Sequence, residues 1–244
     1  MTRRLPVFWH AVHHFWLTRR GQADAQVLRG VRDQGTRGSV TGGSHLDGFH
    51  LLLSERLMDA GIPASSIFTG RGSTVVPGYS RPTKQWDLLV VHEGCLYAAV
   101  ELKSQVGSLG NNANNRFEEA IGNAVDFHHA DREGAFNANE RPWVGYIFLL
   151  APTSDAIRPV RTSAPHFPVL ARHLNASYAE RLGTMCALME AEGLYDATCP
   201  MLTSLQDLDQ VPNYVEPRAD LTAERFVSEM VAGVHARMRS SGAL

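Results

Sequence analysis

Residues 85–104 read QWDLLVVHEGCLYAAVELKS. Two apolar runs, Gln85–His92 and Leu96–Ser104, flank Glu93-Gly94, and this pattern predicts a β-hairpin. The second run is unusual. Ala98-Ala99-Val100 is what a core strand carries, yet Glu101 and Lys103 follow directly. In a strand, residues i and i+2 share a face, so Glu101 and Lys103 point together while Leu102 enters the other side. Burying two unpaired charges is expensive. Charges in that position need each other, a metal or solvent.

Asp87 opens the first run, and register decides whether it joins them. A two-residue loop at Glu93-Gly94 pairs His92 with Cys95 and sets Asp87 opposite Val100, on the wrong face. A three-residue loop repairs this. His92-Glu93-Gly94 places Asp87 opposite Ala99, diagonal to Glu101; Glu93-Gly94-Cys95 places it opposite Glu101 itself. Three-residue loops with glycine in the left-handed position are common. The expectation is one of these two, with Asp87 and Glu101 on one face.

The rest of the chain supplies the frame. Residues 7–29 read as a helix, and Gly30 to Gly43 as a loop. Ser44 and Asp47 resemble a capping box ahead of a helix carrying Leu46, Phe49, Leu52, Leu53 and Leu57, which stops at Gly61. Ser66–Thr69 and Ser73–Val76 read as short strands. Gly107–Asn115 reads as a Gly/Asn loop. Arg116–Arg132 reads as a helix with Phe117, Ile121, Val125 and Phe127 as its apolar positions. Trp143–Leu150 is continuously apolar and reads as a buried strand. Ala176–Glu192 and the amphipathic Leu221–Met238 read as helices. Helix, strands, helix, strand over 46–150 predicts an α/β fold, a mixed sheet flanked by helices.

Composition narrows the class. With 244 residues and 44% hydrophobic content, the chain can bury a core and is not a disordered tract. No apolar run reaches the roughly 18–20 residues that a membrane span needs, so no membrane partner is expected. Cys95, Cys186 and Cys199 form no CxxC pair, which suits a reducing cytoplasm. The net charge of −2 excludes a nonspecific polycation but not a DNA-binding protein with local charge. Residues 1–45 hold seven arginines against two acids. Of the 23 basic residues only Lys84 and Lys103 are lysine, both in one short stretch. A lysine in so arginine-rich a chain hints at a task that arginine cannot do.

Two carboxylates on one face suit a hard cation such as Mg²⁺, which keeps several waters and binds phosphate oxygens. A compact ammonium two residues on suits an attacking water or a phosphorane oxygen better than a guanidinium. The bland alternative is a surface ion pair at a strand end. His10 and His14 stand at i, i+4, but no third zinc ligand is evident, and neither a P-loop nor a dinucleotide fingerprint is present.

Longer strings carry a resemblance. Leu46-Asp47-Gly48-Phe49, PGYSRPTKQWDLLV (77–90), AAVELKSQVGSLGNNANNRFEEAIGNA (98–124) and SAPHFPV (163–169) closely resemble the XhoI-like type II restriction endonucleases of the PD-(D/E)xK nuclease superfamily. Trp86 stands where that superfamily's motif has proline; the proline does no chemistry. The resemblance covers most of residues 40–175 and implies a restriction-endonuclease-like core. Together with the predicted elements, the chain is expected to be one domain with a basic helical extension and loop (1–45), the nuclease core (46–150), and a recognition loop and C-terminal helical part (151–244). The resemblance implies Mg²⁺-dependent double-strand cleavage of DNA at CTCGAG after the first base, leaving 5′ overhangs. It implies a homodimer, because protein two-fold symmetry matches a palindrome, and a companion methyltransferase. Asp87 and Glu101, with the Leu102 carbonyl, would hold the metal, and Lys103 would orient the water or stabilise developing charge. Asp47, Glu55, Glu118 and Glu119 are further acids, each more simply read as an exposed helix residue or cap.

For DNA contact, Asn111, Asn112, Asn114, Asn115 and Arg116 follow the catalytic strand. Asparagine pairs bidentately with adenine and arginine with guanine. Arg81, Lys84 and Gln85 precede Asp87 and suit phosphates or bases. Ser163, His166, Arg158 and Arg161 form a second candidate loop. The competing readings are a PD-(D/E)xK repair nuclease or resolvase, and a catalytically silent DNA-binding module, against which the intact Asp87, Glu101 and Lys103 argue.

Overall fold

The computed structural model describes residues 5–28, 44–107 and 109–244, with the side chains of 26–28 and 110–113 outside that description. The predicted loop at Gly30 to Gly43 lies outside the described residues. A five-stranded sheet forms the centre, from β1 (Ile67–Phe68), β4 (Leu88–His92), β5 (Cys95–Gln105), β6 (Trp143–Leu150) and β7 (Ala197–Leu202), in the order β1-β4-β5-β6-β7. A separate two-stranded ribbon pairs β2 (Val75–Pro77) with β3 (Thr83–Gln85). The sheet is mixed: β4 is antiparallel to β1 and β5, while β5, β6 and β7 run parallel. The α/β expectation of a mixed sheet flanked by helices is borne out.

Helices cover both faces. On one side lie α1 (Trp9–Leu28), α2 (Asp47–Asp59) and α6 (Ala223–Ser240), burying Phe8, Phe15, Phe49, Leu53, Phe226 and Met230 against Val90, Val100 and Ile147. On the other lie α3 (Gly110–Arg132), the short α4 (Ser154–Ile157) and α5 (Tyr178–Ala191), burying Ala120, Ala124, Phe127, Leu182 and Met185 against Leu89, Ala99 and Tyr146. Both parallel connections, through α3 and through α5, cross the same face, as one-handed crossovers in a β5-β6-β7 sequence must. All eight residues of β6 are buried, which explains its unbroken apolar character. Gly145 on β6 is required by space: a Cβ there would lie 2.5 Å from the Trp143 ring and 2.8 Å from Phe226.

Several local expectations are corrected. Gln85–His92 is not one strand. Gln85 ends the ribbon, Trp86 and Asp87 form a break, and β4 starts at Leu88. Ser44 does not cap α2, because Ser44–Leu46 forms a 3₁₀ turn and the cap position falls to Leu46. The Gly/Asn loop is shorter than expected, since α3 already begins at Gly110. Asparagine's loop preference is a weak prior that a long packed helix overrides. Helix α3 also buries a different face. Ala120, Ala124 and Phe127 pack inward, while Ile121 and Val125 stay about 40% exposed. Small side chains let this helix sit close to the sheet. Strand β7 was not anticipated. It carries Pro200, which is tolerated because β7 is a sheet edge. The amphipathic C-terminal helix packs on its own sheet through Phe226, Val227, Met230, Val234 and Met238.

Candidate active site

The turn joining β4 to β5 is the two-residue Glu93-Gly94, with φ of 48° and 77° and His92 paired to Cys95. The expected three-residue loop is therefore corrected. By itself this turn would set Asp87 opposite Val100. A β-bulge intervenes: Val90 pairs with Ala98 but Val91 with Leu96, leaving Tyr97 as the extra residue. Tyr97 and Ala98 both face the α1/α2/α6 layer, so the alternation along β5 resets there. Beyond the bulge Leu88 pairs with Val100, and continuing that register brings Asp87 opposite Glu101. The expected juxtaposition holds, produced by a bulge and not by the loop.

Backbone contacts fix the geometry. The Asp87 N–H donates to the Val100 carbonyl at 3.0 Å, and the Leu102 N–H donates to Asp87 Oδ2 at 2.7 Å. Even-numbered residues of this part of β5 thus turn their backbone groups toward β4. Because β4 starts at Leu88, the Leu102 carbonyl points past its end, beside Asp87. Glu101 is 1% exposed, and each of its oxygens meets an ammonium. Lys84 Nζ lies 2.7 Å from Oε2, and Lys103 Nζ makes a close ion contact with Oε1. The Lys103 contact lacks hydrogen-bond alignment, so Oε1 is buried without a hydrogen-bond partner.

The network continues outward. Lys103 Nζ is 3.3 Å from Glu119 Oε1, and Arg116 Nη1 donates to Glu119 Oε2 at 2.7 Å. Lys84 Nζ also sits 5.0 Å from the centre of the buried Trp86 ring. Burial, then the neighbouring Glu101 charge, pushes the Asp87 carboxyl up to about 6. Burial disfavours the charged form of Lys103, but Glu101, Glu119 and Asp87 outweigh it and raise its pKa. Burial acts against the Glu119 charge too, yet Lys103 and Arg116 hold that carboxyl below its ordinary value. Three acids face three bases, and the set is neutral when all are ionised.

The donor set fits a hard divalent cation. Among the described residues no three His, Cys, Asp or Glu side chains form a metal cage. The residues that would hold it are Asp87, Glu101 and the Leu102 carbonyl, a sparse oxygen set of the kind Mg²⁺ completes with water and phosphate. Both Glu101 oxygens are held by ammonium groups, so a cation here would take the place of at least one of them.

The other candidate residues divide. Glu119 is not the exposed acid the sequence suggests but belongs to the cluster, and Lys84, a candidate DNA contact by sequence, touches Glu101. The signal for Glu119 was its i, i+3 relation to Arg116 early in a helix that follows β5 after a short connection. Glu118 is exposed outside the network. Asp47 and Glu55 sit on α2, against the opposite face of the sheet, and the structure does not bring them to Asp87 or Glu101. Asp47 instead approaches His50 at 3.6 Å. Arg81 turns onto α3, its Nε 3.1 Å from Asp126 Oδ2 and its Nη2 2.8 Å from Asn123 Oδ1. Asp126 also accepts from the Ser80 N–H at 2.7 Å, tying the ribbon turn to α3. Gln85 is exposed. Asn114 and Asn115 are exposed on the first turns of α3 with Arg116 half-buried, while the Asn111 and Asn112 side chains lie outside the described residues. Arg158, Arg161, Ser163 and His166 are exposed on the segment leaving β6. That segment starts beside the end of β5, where the Ala151 N–H donates to the Gln105 carbonyl at 2.9 Å, so it emerges from the same sheet end as Lys103.

A family model described as "Restriction endonuclease XhoI" matches residues 25–214. The chain is 41% identical over 210 residues to the type II restriction enzyme BstVI of Geobacillus stearothermophilus, covering 83% of this chain and 92% of that enzyme. It is 41% identical over 185 residues to the type II restriction enzyme XhoI of Xanthomonas vasicola, covering 75% and 73%. It is 42% identical over 158 residues to the type II restriction enzyme AbrI of Azospirillum brasilense, covering 64% and 71%. No solved structure matches the chain.

Proposed function

The chain belongs to the XhoI family of type II restriction endonucleases, and on that premise we propose that it makes Mg²⁺-dependent double-strand cuts in DNA at CTCGAG, after the first base, leaving 5′ overhangs. The observation that carries the chemistry is the bulge-set register, which joins Asp87, Glu101 and Lys103 on one face at a sheet end bordered by arginine- and asparagine-bearing segments. Asp87, Glu101 and the Leu102 carbonyl hold the cation. When bound, Mg²⁺ supplies positive charge against the scissile phosphate and acidifies water. Lys103 holds the attacking water in line, or its ammonium neutralises charge developing on phosphorus oxygens. Glu119 and Arg116 keep Lys103 positioned and charged. In-line attack leaves 3′-hydroxyl and 5′-phosphate ends.

Asn114, Asn115 and Arg116 on the first turns of α3, with Arg161 and His166 exposed on the segment that leaves β6, are the side chains offered to base edges and phosphates; Asn111 and Asn112 belong to the same stretch of sequence as the first three. A homodimer matches the palindrome's two-fold axis, and a companion methyltransferase protects host DNA. No helix among the described residues is long and apolar enough to cross a membrane. The test is a plasmid carrying one CTCGAG site, incubated with Mg²⁺ and separately with EDTA. Linear product cut at that site with Mg²⁺ alone is the expected result. Smears, junction-specific cuts or an intact plasmid would overturn the proposal.

A further inference from the structure

Both oxygens of Glu101 are engaged by ammonium groups, Oε2 by Lys84 and Oε1 by Lys103. A cation entering at Asp87 and Glu101 must displace at least one of them. Lys103 lies beyond the β4 pairing, which ends at Val100, and is paired only to Phe148 of β6; its ammonium is also held by Glu119 at 3.3 Å. Lys84 sits on the β2–β3 ribbon, which shares no strand pairing with the five-stranded sheet. Among the described residues Lys84 has no second carboxylate within ion-pair distance, its other contact being the neutral Gln85 carbonyl, whereas Lys103 also meets Glu119, so Lys84 is the ammonium that gives way. Its side chain is only 13% exposed and lies over Trp86, so an ammonium released there still needs an anion close by. The neutral set of three acids and three bases gains two positive charges with a divalent cation. A phosphodiester passing to a dianionic pentavalent transition state cancels them.

We propose that Lys84 is a further catalytic residue, which yields Glu101 to the cation as the cleavage complex forms and places its ammonium on the scissile phosphate. This deepens the nuclease reading above and rests on it. It also gives the chain's two lysines one explanation: a compact, movable point charge does this work better than a planar guanidinium with a fixed fork.

The test compares wild type with Lys84→Ala and Lys84→Gln in two assays. Tb³⁺ luminescence without DNA reads the cation site, with Glu101→Ala as the blank. Single-turnover cleavage of a CTCGAG duplex at saturating Mg²⁺ reads the chemistry. Loss of a competing ammonium predicts several-fold tighter Tb³⁺ binding in both variants, with cleavage slowed at least about 100-fold. A merely structural lysine would move Tb³⁺ affinity the other way, by loosening Glu101. Unchanged or weaker Tb³⁺ binding, or cleavage equal to wild type, overturns the Lys84 assignment. A wild type that binds Tb³⁺ at Glu101 but cuts no DNA overturns the nuclease reading itself.

Discussion

Replacing Asp87 by asparagine should stabilise the metal-free protein while destroying its activity. The Asp87 carboxyl is pushed from 3.8 up to about 6 by burial and by Glu101. A raised carboxyl pKa means that the folded state binds the proton more tightly than the unfolded chain. Ionised Asp87 therefore costs stability above pH 6, and the cost vanishes as pH falls toward 4. A shift of about two units corresponds to roughly 3 kcal/mol at neutral pH. Asparagine is the neutral isostere and still accepts from the Leu102 N–H. For a chain of this size the gain amounts to about 6–12 °C in Tm. His45 titrates in the same window with the opposite sign. Its imidazole is pushed down to about 4, first by burial, so wild type and variant alike lose stability as pH falls below 6.5. The difference between the two proteins cancels that contribution. Thermal unfolding in EDTA at pH 7.5, 6, 5 and 4 measures it. The variant should be more stable at pH 7.5, with the gap closing between pH 6 and 4. Added Ca²⁺ should raise the Tm of wild type only. A variant no more stable at pH 7.5, or a gap independent of pH, would refute the argument that Asp87 is held ionised against burial and a like charge.

Other predictions follow from the supports around the site. Asp126→Ala frees Ser80 and Arg81, so limited proteolysis within residues 78–85 should accelerate and cleavage should slow. Glu93 adopts φ 48° beside Gly94 in a two-residue hairpin turn, a position that asparagine tolerates better. Glu93→Asn should raise stability by about 0.5 kcal/mol in denaturant unfolding, with cleavage unchanged. Arg116→Ala or Asn114→Ala should weaken binding to a CTCGAG duplex far more than to an unrelated duplex; equal loss on both would assign them to phosphate contact.

The sequence exposed the hairpin and the shared face of Glu101 and Lys103 because strand alternation is strict over short runs. The expectation that Asp87 joins them rested on a three-residue loop. The structure reaches the same juxtaposition differently, since a two-residue turn with one bulged residue shifts the pairing by the same step as a Glu93-Gly94-Cys95 loop. Tyr97 carries no bulge signature of its own; only its packing beside Ala98 on one face shows it. The start of α3 was hidden by glycine and asparagine, which favour loops locally, and its buried face by Ala120 and Ala124, whose small side chains register weakly in an apolar pattern. Glu119 and Lys84 reach the cluster through tertiary placement of a helix and a ribbon, which no spacing along the chain encodes.

The central claim is that the bulge-set trio performs the cleavage, and single-turnover kinetics on a CTCGAG duplex test it most directly. Lys103→Ala and Glu101→Ala should each slow cleavage by roughly 10²–10⁴-fold or more, while Ca²⁺-supported binding to the same duplex persists. Full cleavage activity in either variant would contradict the account.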